Sequence, residues 1–457
     1  MPTALVLLTR DLRVHDQPAL AAACAHAERI AVLFVLDEAI LGSPAAAPNR
    51  LAFLLEALAD VDTSLRDRGG RLVVRRGDLA REVAGVVRET GATSLHLAAD
   101  VSAFARARER RLAILADDLR LDLRVHPGPS VVPPEALTTT DGGAYRVFTP
   151  YWRRWAEHLH RAPLPAPERV PAVARLDPGR LPTLAELTTG PTSPGRAPGG
   201  EGAGRRRLDE WLAGGIDGYE DGRDRLADDA TSRLSPYLRF GCVSAVEVVD
   251  RLDRRRRGHD AFLRQLCWRD FNQQLLAAHP DLPRTDLRGG ERTWHDDPEG
   301  LAAWVEGRTG YPVVDAGMRH LREEGWMHNR ARMLTASLLT KHLLIDWRLG
   351  ARHFMDWLVD GEVANNVAQW QWVAGTGTDT RPGRMLNPVA QGRRHDPDGR
   401  YVRRHVPELA HLDDAVLHTP WEADGSLLAP GGYPPPLVDH DEARERFLAV
   451  RRGPGGR

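Results

Sequence analysis

Cysteine is nearly missing from this chain. Cys24, Cys242 and Cys267 are the only three, and their wide spacing offers no CxxC pair. That excludes a zinc or iron–sulfur ligand set and a disulfide framework, so no metal and a reduced, cytoplasmic setting are expected. Lysine occurs once, at Lys341, and arginine carries the rest of the positive charge. Arginine suits phosphate contacts, although a GC-rich coding sequence accounts for it more simply. A global excess of charge is also absent: the formal net charge is −1, so any nucleic-acid surface must be a local patch. No apolar run reaches the length of a membrane span. Arg10, Asp11, Arg13, His15 and Asp16 interrupt the first apolar run, which argues against a signal peptide. No GxGxxG follows the first apolar run, so the dinucleotide fingerprint is missing too.

The 457 residues suffice for two or three domains. Thr3–Leu8, Ile30–Leu36, Leu72–Val74 and Leu95–Leu97 read as strands. Pro18–Ala27, Asn49–Leu65 and Leu79–Thr90 read as helices between them. This alternation predicts an α/β domain with a Rossmann-like parallel sheet covered on both faces. The loop Thr9–Arg13 after the first strand is then a candidate ligand site. Proline and glycine crowd residues 161–204, which read as a partly flexible connection. From Leu208 onward the pattern is helical almost throughout, and ten of the twelve tryptophans lie there. The expected organisation is an α/β domain over 1–130, a linker over 131–204 and a large all-α domain over 205–457.

The chemistry-bearing residues concentrate in the helical part. Between Trp326 and Asp379, indoles, amides, guanidiniums and carboxylates crowd together without an obvious nucleophile. That inventory suits holding a flat, polar-edged aromatic molecule. Tyr219 and Arg223 precede Thr231-Ser232-Arg233-Leu234-Ser235, where hydroxyls beside arginine at a helix start read either as an anion site or as an ordinary N-cap. Gln265 and Trp268 share a helix face and read as a base-stacking pair or as a core indole beside a surface amide. Asn329 and Met333 share another face, while Arg332 points away and is placed to pair with Asp360. His328 is a candidate general acid or a structural histidine.

Five ordered motifs resemble the DNA photolyase/cryptochrome family: Thr231–Ser235, Trp268-Arg269-Asp270-Phe271, Gly310–Ala316, Trp326–Arg330, and Trp370-Gln371-Trp372 through Gly375–Asp379. The stretch Arg10–Asp16 is similar to that family as well, and the resemblance spans roughly residues 3 to 410. It implies an α/β antenna domain and an all-α domain holding FAD, which in its reduced form passes one light-excited electron to a pyrimidine dimer in UV-damaged DNA. It implies FAD contacts from Tyr219, Arg223, Thr231, Ser232, Arg233, Leu234, Ser235, Arg269, Arg332, Asp360, Gly361 and Glu362, with Asn366 facing flavin N5. Trp370, Trp347 and Trp294 correspond to the proximal, middle and distal members of an electron-transfer chain. Gln265, Trp268, Arg269, Asn329, Arg330, Met333, Trp372 and Gln391 correspond to the surface that meets a flipped-out dimer, with Gln265 and Asn329 nearest the chemistry.

Departures from the family pattern shape the expectation. Ala105 stands where folate-binding members carry Glu, which favours an 8-hydroxy-5-deazaflavin antenna over methenyltetrahydrofolate, or no antenna. Glu362 replaces Asp, one methylene longer. Gln265 replaces the Glu usual in cyclobutane-dimer enzymes and matches (6-4) photolyases. His328, Asn329 and Met333, however, match the cyclobutane-dimer type. The expectation is therefore a monomeric cyclobutane-dimer photolyase. A (6-4) photolyase, a cryptochrome photoreceptor without repair activity and a damage-binding flavoprotein are the alternatives.

Overall fold

A computed structural model describes residues 2–289, 294–423 and 432–452. Five strands, β1 (Thr3–Leu7), β2 (Arg29–Asp37), β3 (Leu72–Gly77), β4 (Ser94–Ala98) and β5 (Asp122–His126), form one parallel sheet in the order β3-β2-β1-β4-β5. The helices α1 (Pro18–His26), α2 (Pro48–Arg66), α3 (Leu79–Thr90) and α4 (Ala103–Leu119) make the four crossovers. Three of these helices and four of the strands fall where the apolar pattern places them; α4 and β5 do not appear in that reading. The reason is visible in their burial. Helix α4 buries only Ala105, Leu112 and Ala116, and β5 has no fully buried residue.

Alternate residues of β1 serve two cores, as the two-residue period of a strand dictates. Leu5 and Leu7 pack with Val83, Val86 and Val87 of α3 and Leu112 of α4. Ala4 and Val6 join the larger core that continues into the helical half. The strand order reverses at β1 and β4, and the crevice outside their carboxyl ends is where such sheets present ligand-facing loops.

Residues 161–204 run along the sheet edge and α2. Ile30 N–H donates to Pro171 O at 2.7 Å, and Val74 N–H to Pro178 O at 2.7 Å. Asn49 of α2 donates to Ser193 Oγ at 2.9 Å and accepts from its N–H at 2.7 Å. Ahead of this stretch comes α5 (Phe148–Glu157). The rest of the fold is helical: α6 (Ser235–Phe240), α7 (Arg257–Ala278), α9 (Asn329–Ser337), α10 (Trp347–Trp357) and α11 (Val363–Ala374) surround the cleft described below, and α8 (Pro312–Glu324) packs against α9 from outside it.

The α/β half is fastened to the helices by buried charge. Asp16, 1 % exposed, accepts from Arg161 Nη2 and Leu164 N–H, each at 2.9 Å, and from Ser244 Oγ. Arg13 donates to Asp16 O and, at 2.9 Å, to Gly241 O. Burial alone would raise the Asp16 carboxyl, and the bonds from Arg161 and Ser244 hold it below its ordinary value instead. Its stabilisation is therefore present above the unfolded aspartate pKa near 4 and is lost as pH falls below it. Asp16→Ala is expected to cost about 3 kcal/mol in denaturant unfolding at neutral pH, because it strands a partly buried guanidinium, and the cost should shrink as the pH of the measurement is lowered.

Candidate functional site

The cleft begins with the loop before α6. Arg207 holds that loop through its carbonyls, donating to Ser232 O at 2.9 Å and Thr231 O at 3.0 Å. Its hydroxyl groups are thereby left for the other side. Arg233 adopts φ of +51°, a costly conformation for a side-chain-bearing residue. It is held there by Asp229 at 2.6 Å, by Glu324 and by the face of Trp326, whose ring centre lies 4.4 Å from the guanidinium carbon. Trp326 in turn donates its indole N–H to Ser235 Oγ at 3.2 Å.

Helices α7, α9, α10 and α11 supply the other walls of a cleft of about 450 Å³. Leu238, Phe262, Phe354, Leu358 and Trp370 give it apolar surfaces. Its polar edge is built around Asp360, which accepts from Arg332 Nη2 at 2.8 Å, the pairing foreseen from sequence. Arg332 is fixed by a second bond to Met327 O at 2.8 Å. The other carboxylate oxygen of Asp360 is buried with no partner among the described residues. A buried acceptor left open in this way calls for an N–H or O–H donor from a ligand. Asn366 gives its amide nitrogen to Ala351 O at 2.9 Å, which leaves its oxygen as an acceptor.

The cleft brings together most of the residues singled out in the sequence. Tyr219, Thr231, Ser232, Arg233, Leu234, Ser235, Arg269, Arg332, Asp360, Gly361, Glu362 and Asn366 all line it. So do Gln265, Trp268, Asn329, Met333, Trp370 and Trp372. Arg223 is not among the lining residues. Arg330 turns to Asp224 at 2.7 Å, and Gln391 sits apart with a buried amide oxygen that has no partner among the described residues. Trp347 is fully buried beneath the cleft, with its indole N–H on Asp286 at 3.0 Å, and Trp294 is half-buried.

Several lining or supporting residues escaped the sequence reading. Arg239, one turn beyond Ser235, lines the cleft and donates to Gly361 O at 3.2 Å; the i, i+4 spacing was the available signal. Asn272 and Asn365 face each other at 2.8 Å. Phe148 of α5 stacks on Trp268 with ring centres 3.8 Å apart and planes 5° from parallel, so one face of that indole is fixed from the connecting segment. Trp304, by contrast, belongs to the dense tryptophan set the sequence already shows, and it contacts Trp370 edge to face with ring centres 6.0 Å apart.

The sequence left His328 open as an acid or a structural residue, and its surroundings decide. It caps α9, accepting from Arg330 N–H at 3.1 Å, and is 2 % exposed. Burial pushes its imidazole down to about 4, so it is neutral at neutral pH and carries no imidazolium proton to give. A histidine buried neutral contributes stability that is complete above its unfolded pKa near 6.5 and is lost as pH falls towards about 4. NMR titration is expected to show no protonation of this ring above pH ~5.5, and His328→Gln should flatten that part of the stability–pH curve.

A flat heteroaromatic with an N–H edge and a phosphate-bearing tail fits this combination of apolar walls, open acceptor and hydroxyl-rich loop. Comparison with known proteins agrees. Residues 262–452 match the model of the FAD binding domain of DNA photolyase, and residues 4–168 match the DNA photolyase model. A deoxyribodipyrimidine photo-lyase of Streptomyces griseus is 51 % identical over 99 % of both chains. A bacterial class III photolyase from Agrobacterium tumefaciens superposes with a TM-score of 0.92 at 36 % identity, over 99 % of this chain and 97 % of that one. An archaeal photolyase from Sulfolobus tokodaii, whose structure holds two FAD molecules, gives 0.87 at 27 % identity, over 99 % and 100 %. The chain belongs to the DNA photolyase family and carries that family's FAD-binding domain.

Proposed function

We propose that this protein is a deoxyribodipyrimidine photo-lyase that repairs cyclobutane pyrimidine dimers in UV-damaged DNA under light. The observation that carries the reading is one cleft in which a cofactor edge, Asp360 with Arg332 and Asn366, shares its walls with a base-sized rim of Trp268, Trp372, Gln265, Asn329 and Met333. When bound, reduced FAD supplies the light-excited electron that opens the cyclobutane ring.

Each group of residues has its own task in this reading. Asp360 accepts from the cofactor's N–H edge, and Arg332 holds that carboxylate in place. Thr231, Ser232 and Ser235 donate to phosphate oxygens. Tyr219, Arg233, Leu234, Gly361 and Glu362 complete the enclosure, and Arg269 stands beside Glu362 at 3.6 Å. Arg223 and Arg330 act on the same ligands from behind the wall. The extruded dimer, flipped out of the duplex as photolyases require, lies between Trp268 and Trp372. Because Phe148 occupies one face of Trp268, only the other face is free to stack a base. Gln265 and Asn329 donate amide N–H groups to the dimer carbonyls, where negative charge develops. Gln391 belongs to the DNA-facing side. Trp370, Trp347 and Trp294 pass electrons inward from the surface.

The neutral His328 weighs against the (6-4) alternative raised by Gln265, because that imidazole cannot act as an acid at neutral pH. The division at residues 1–130, 131–204 and 205–457 belongs to the same reading, as does action by a monomer in the cytoplasm. Among the described residues no helix is long and apolar enough to cross a membrane, and no group of three or more metal-ligating side chains is assembled. For the antenna, Ala105 is buried on α4 and offers no carboxylate, which favours 8-hydroxy-5-deazaflavin over methenyltetrahydrofolate. The Sulfolobus tokodaii photolyase makes a second FAD the outcome to look for beside it.

Blue-light irradiation of the reduced protein with dimer-containing oligothymidylate is expected to restore thymine absorbance. Repair of (6-4) lesions alone would move the assignment to that class, and repair of neither would sink it. Trp370→Phe should abolish photoreduction of the oxidised flavin while sparing repair by enzyme reduced beforehand; photoreduction that survives would remove Trp370 from the relay. Mass spectrometry of the extracted chromophores identifies the antenna.

A further inference from the structure

Glu362 stands at the edge of the cleft, yet its strongest partner comes from the other half of the chain. Arg10 follows β1 and leaves the crevice where the strand order reverses. Its Nη1 lies 3.2 Å from Asp100 Oδ2, in the loop after β4, and its Nε donates to Arg239 O at 3.3 Å. Its Nη2 donates to Glu362 Oε1. The other oxygen of Glu362 accepts from Asn365 Nδ2, and Asn365 Oδ1 accepts from Asn272 Nδ2 at 2.8 Å. Glu362, Asn365 and Asn272 all line the cleft, whereas Arg10 and Asp100 do not. The side chain of Glu362 is 4 % exposed and that of Arg10 is 22 % exposed.

We propose that Arg10 is a positioning residue of the cofactor cleft: acting through Glu362, it orients the Asn365 amide and keeps one negative charge beside the bound flavin. The sheet domain thus takes part in the cofactor site through one guanidinium, without touching the ligand. The length of Glu362 follows from this role. An Asp at 362 would stop about one C–C bond short of Arg10, so the extra methylene spans the gap between the two halves.

The electrostatics agree with the geometry. Burial pushes the Glu362 carboxyl up, and Arg10 and Arg269 more than offset it while Asp100 opposes them. Arg239 faces the same carboxylate. Burial also disfavours the charge on Arg10, and Glu362 and Asp100 overcome that, so the guanidinium stays protonated. Without Arg10, the largest of the charges that offset burial is gone, and the Glu362 carboxyl is raised towards its protonated form. A change of charge at that position alters the cofactor's electronic environment, because charge close to a flavin tunes it.

The inference rests on the cleft holding FAD, and the visible spectrum of the purified, unaltered protein tests that reading by itself: no flavin there removes the reading, whereas changes confined to the variants concern Arg10. Arg10→Gln is expected to release FAD roughly ten- to hundredfold faster, the loss of one charge-assisted hydrogen bond. Its flavin absorbance should also acquire a pH-dependent step, from a carboxyl that burial raises, where the unaltered protein shows none. Glu362→Gln should remove that titration, and Arg10→Gln should add nothing to it. Glu362→Asp keeps the charge and loses the reach; it is expected to release FAD faster as well, and it serves if Arg10→Gln does not fold. A pH-independent spectrum in Arg10→Gln, effects of Arg10→Gln and Glu362→Gln that simply add, or FAD release from Glu362→Asp equal to that of the unaltered protein would each overturn the proposal.

Discussion

Charges removed from water at the seam between sheet and helices are satisfied only when both halves are in place. Asp16 and Arg13 on one side meet Ser244 and the Gly241 carbonyl on the other. Arg50 of α2 donates to Leu358 O at 2.9 Å and to Met355 O, closing the end of α10. Each such group costs several kcal/mol if left buried and unpaired, so partial docking has no stable intermediate position. The cleft inherits this property. Its polar edge, Asp360 to Glu362, directly follows the carbonyls that Arg50 holds. Its floor at Arg239 lies against Arg10. A site built between helices is therefore fixed by contacts made well behind it, with the connecting segment adding Phe148 and the N–H groups of Val131 and Val132, which bind Asp270 at 3.0 and 2.9 Å.

The sequence shows those elements whose own residues carry the signal. Strands β1 and β2 are nearly continuous apolar runs and β3 and β4 carry shorter apolar stretches, and α3 is legible because one side is apolar and the other charged. Strand β5 is hidden because it lies at an edge and alternates Asp122, Arg124 and His126 with Leu123 and Val125. Helix α4 is hidden because three small contacts suffice to anchor it. The same division holds in the cleft. Motif residues such as Trp268, Asn329 and Asp360 were found through their neighbours in the chain. Arg239, Phe148 and Asn365 were not, since each acts through a partner that the fold alone brings near. Arg10 and Glu362 are 352 positions apart, and no local pattern joins them.

His328 shows how burial settles a question that composition leaves open. A histidine within a motif of amides and indoles invites an acid–base role. Here it caps a helix and is kept neutral by its surroundings. The chemistry of the cleft then falls to groups that hold one protonation state across the working range, which are amides, indoles, paired carboxylates and guanidiniums. That suits a reaction in which an electron moves and no net proton does.

The near-absence of lysine acquires a structural meaning at this point. Burial lowers the Arg50 guanidinium to about 10 and, with Arg10 and Arg50 nearby, the Arg239 guanidinium to about 9. Both still carry their charge at neutral pH. An ammonium, starting from about 10.4 and lowered by the same surroundings, would lose its charge at a lower pH than arginine does. Lysine in those places would leave the join between the two halves sensitive to milder alkali; arginine keeps it welded through the neutral range.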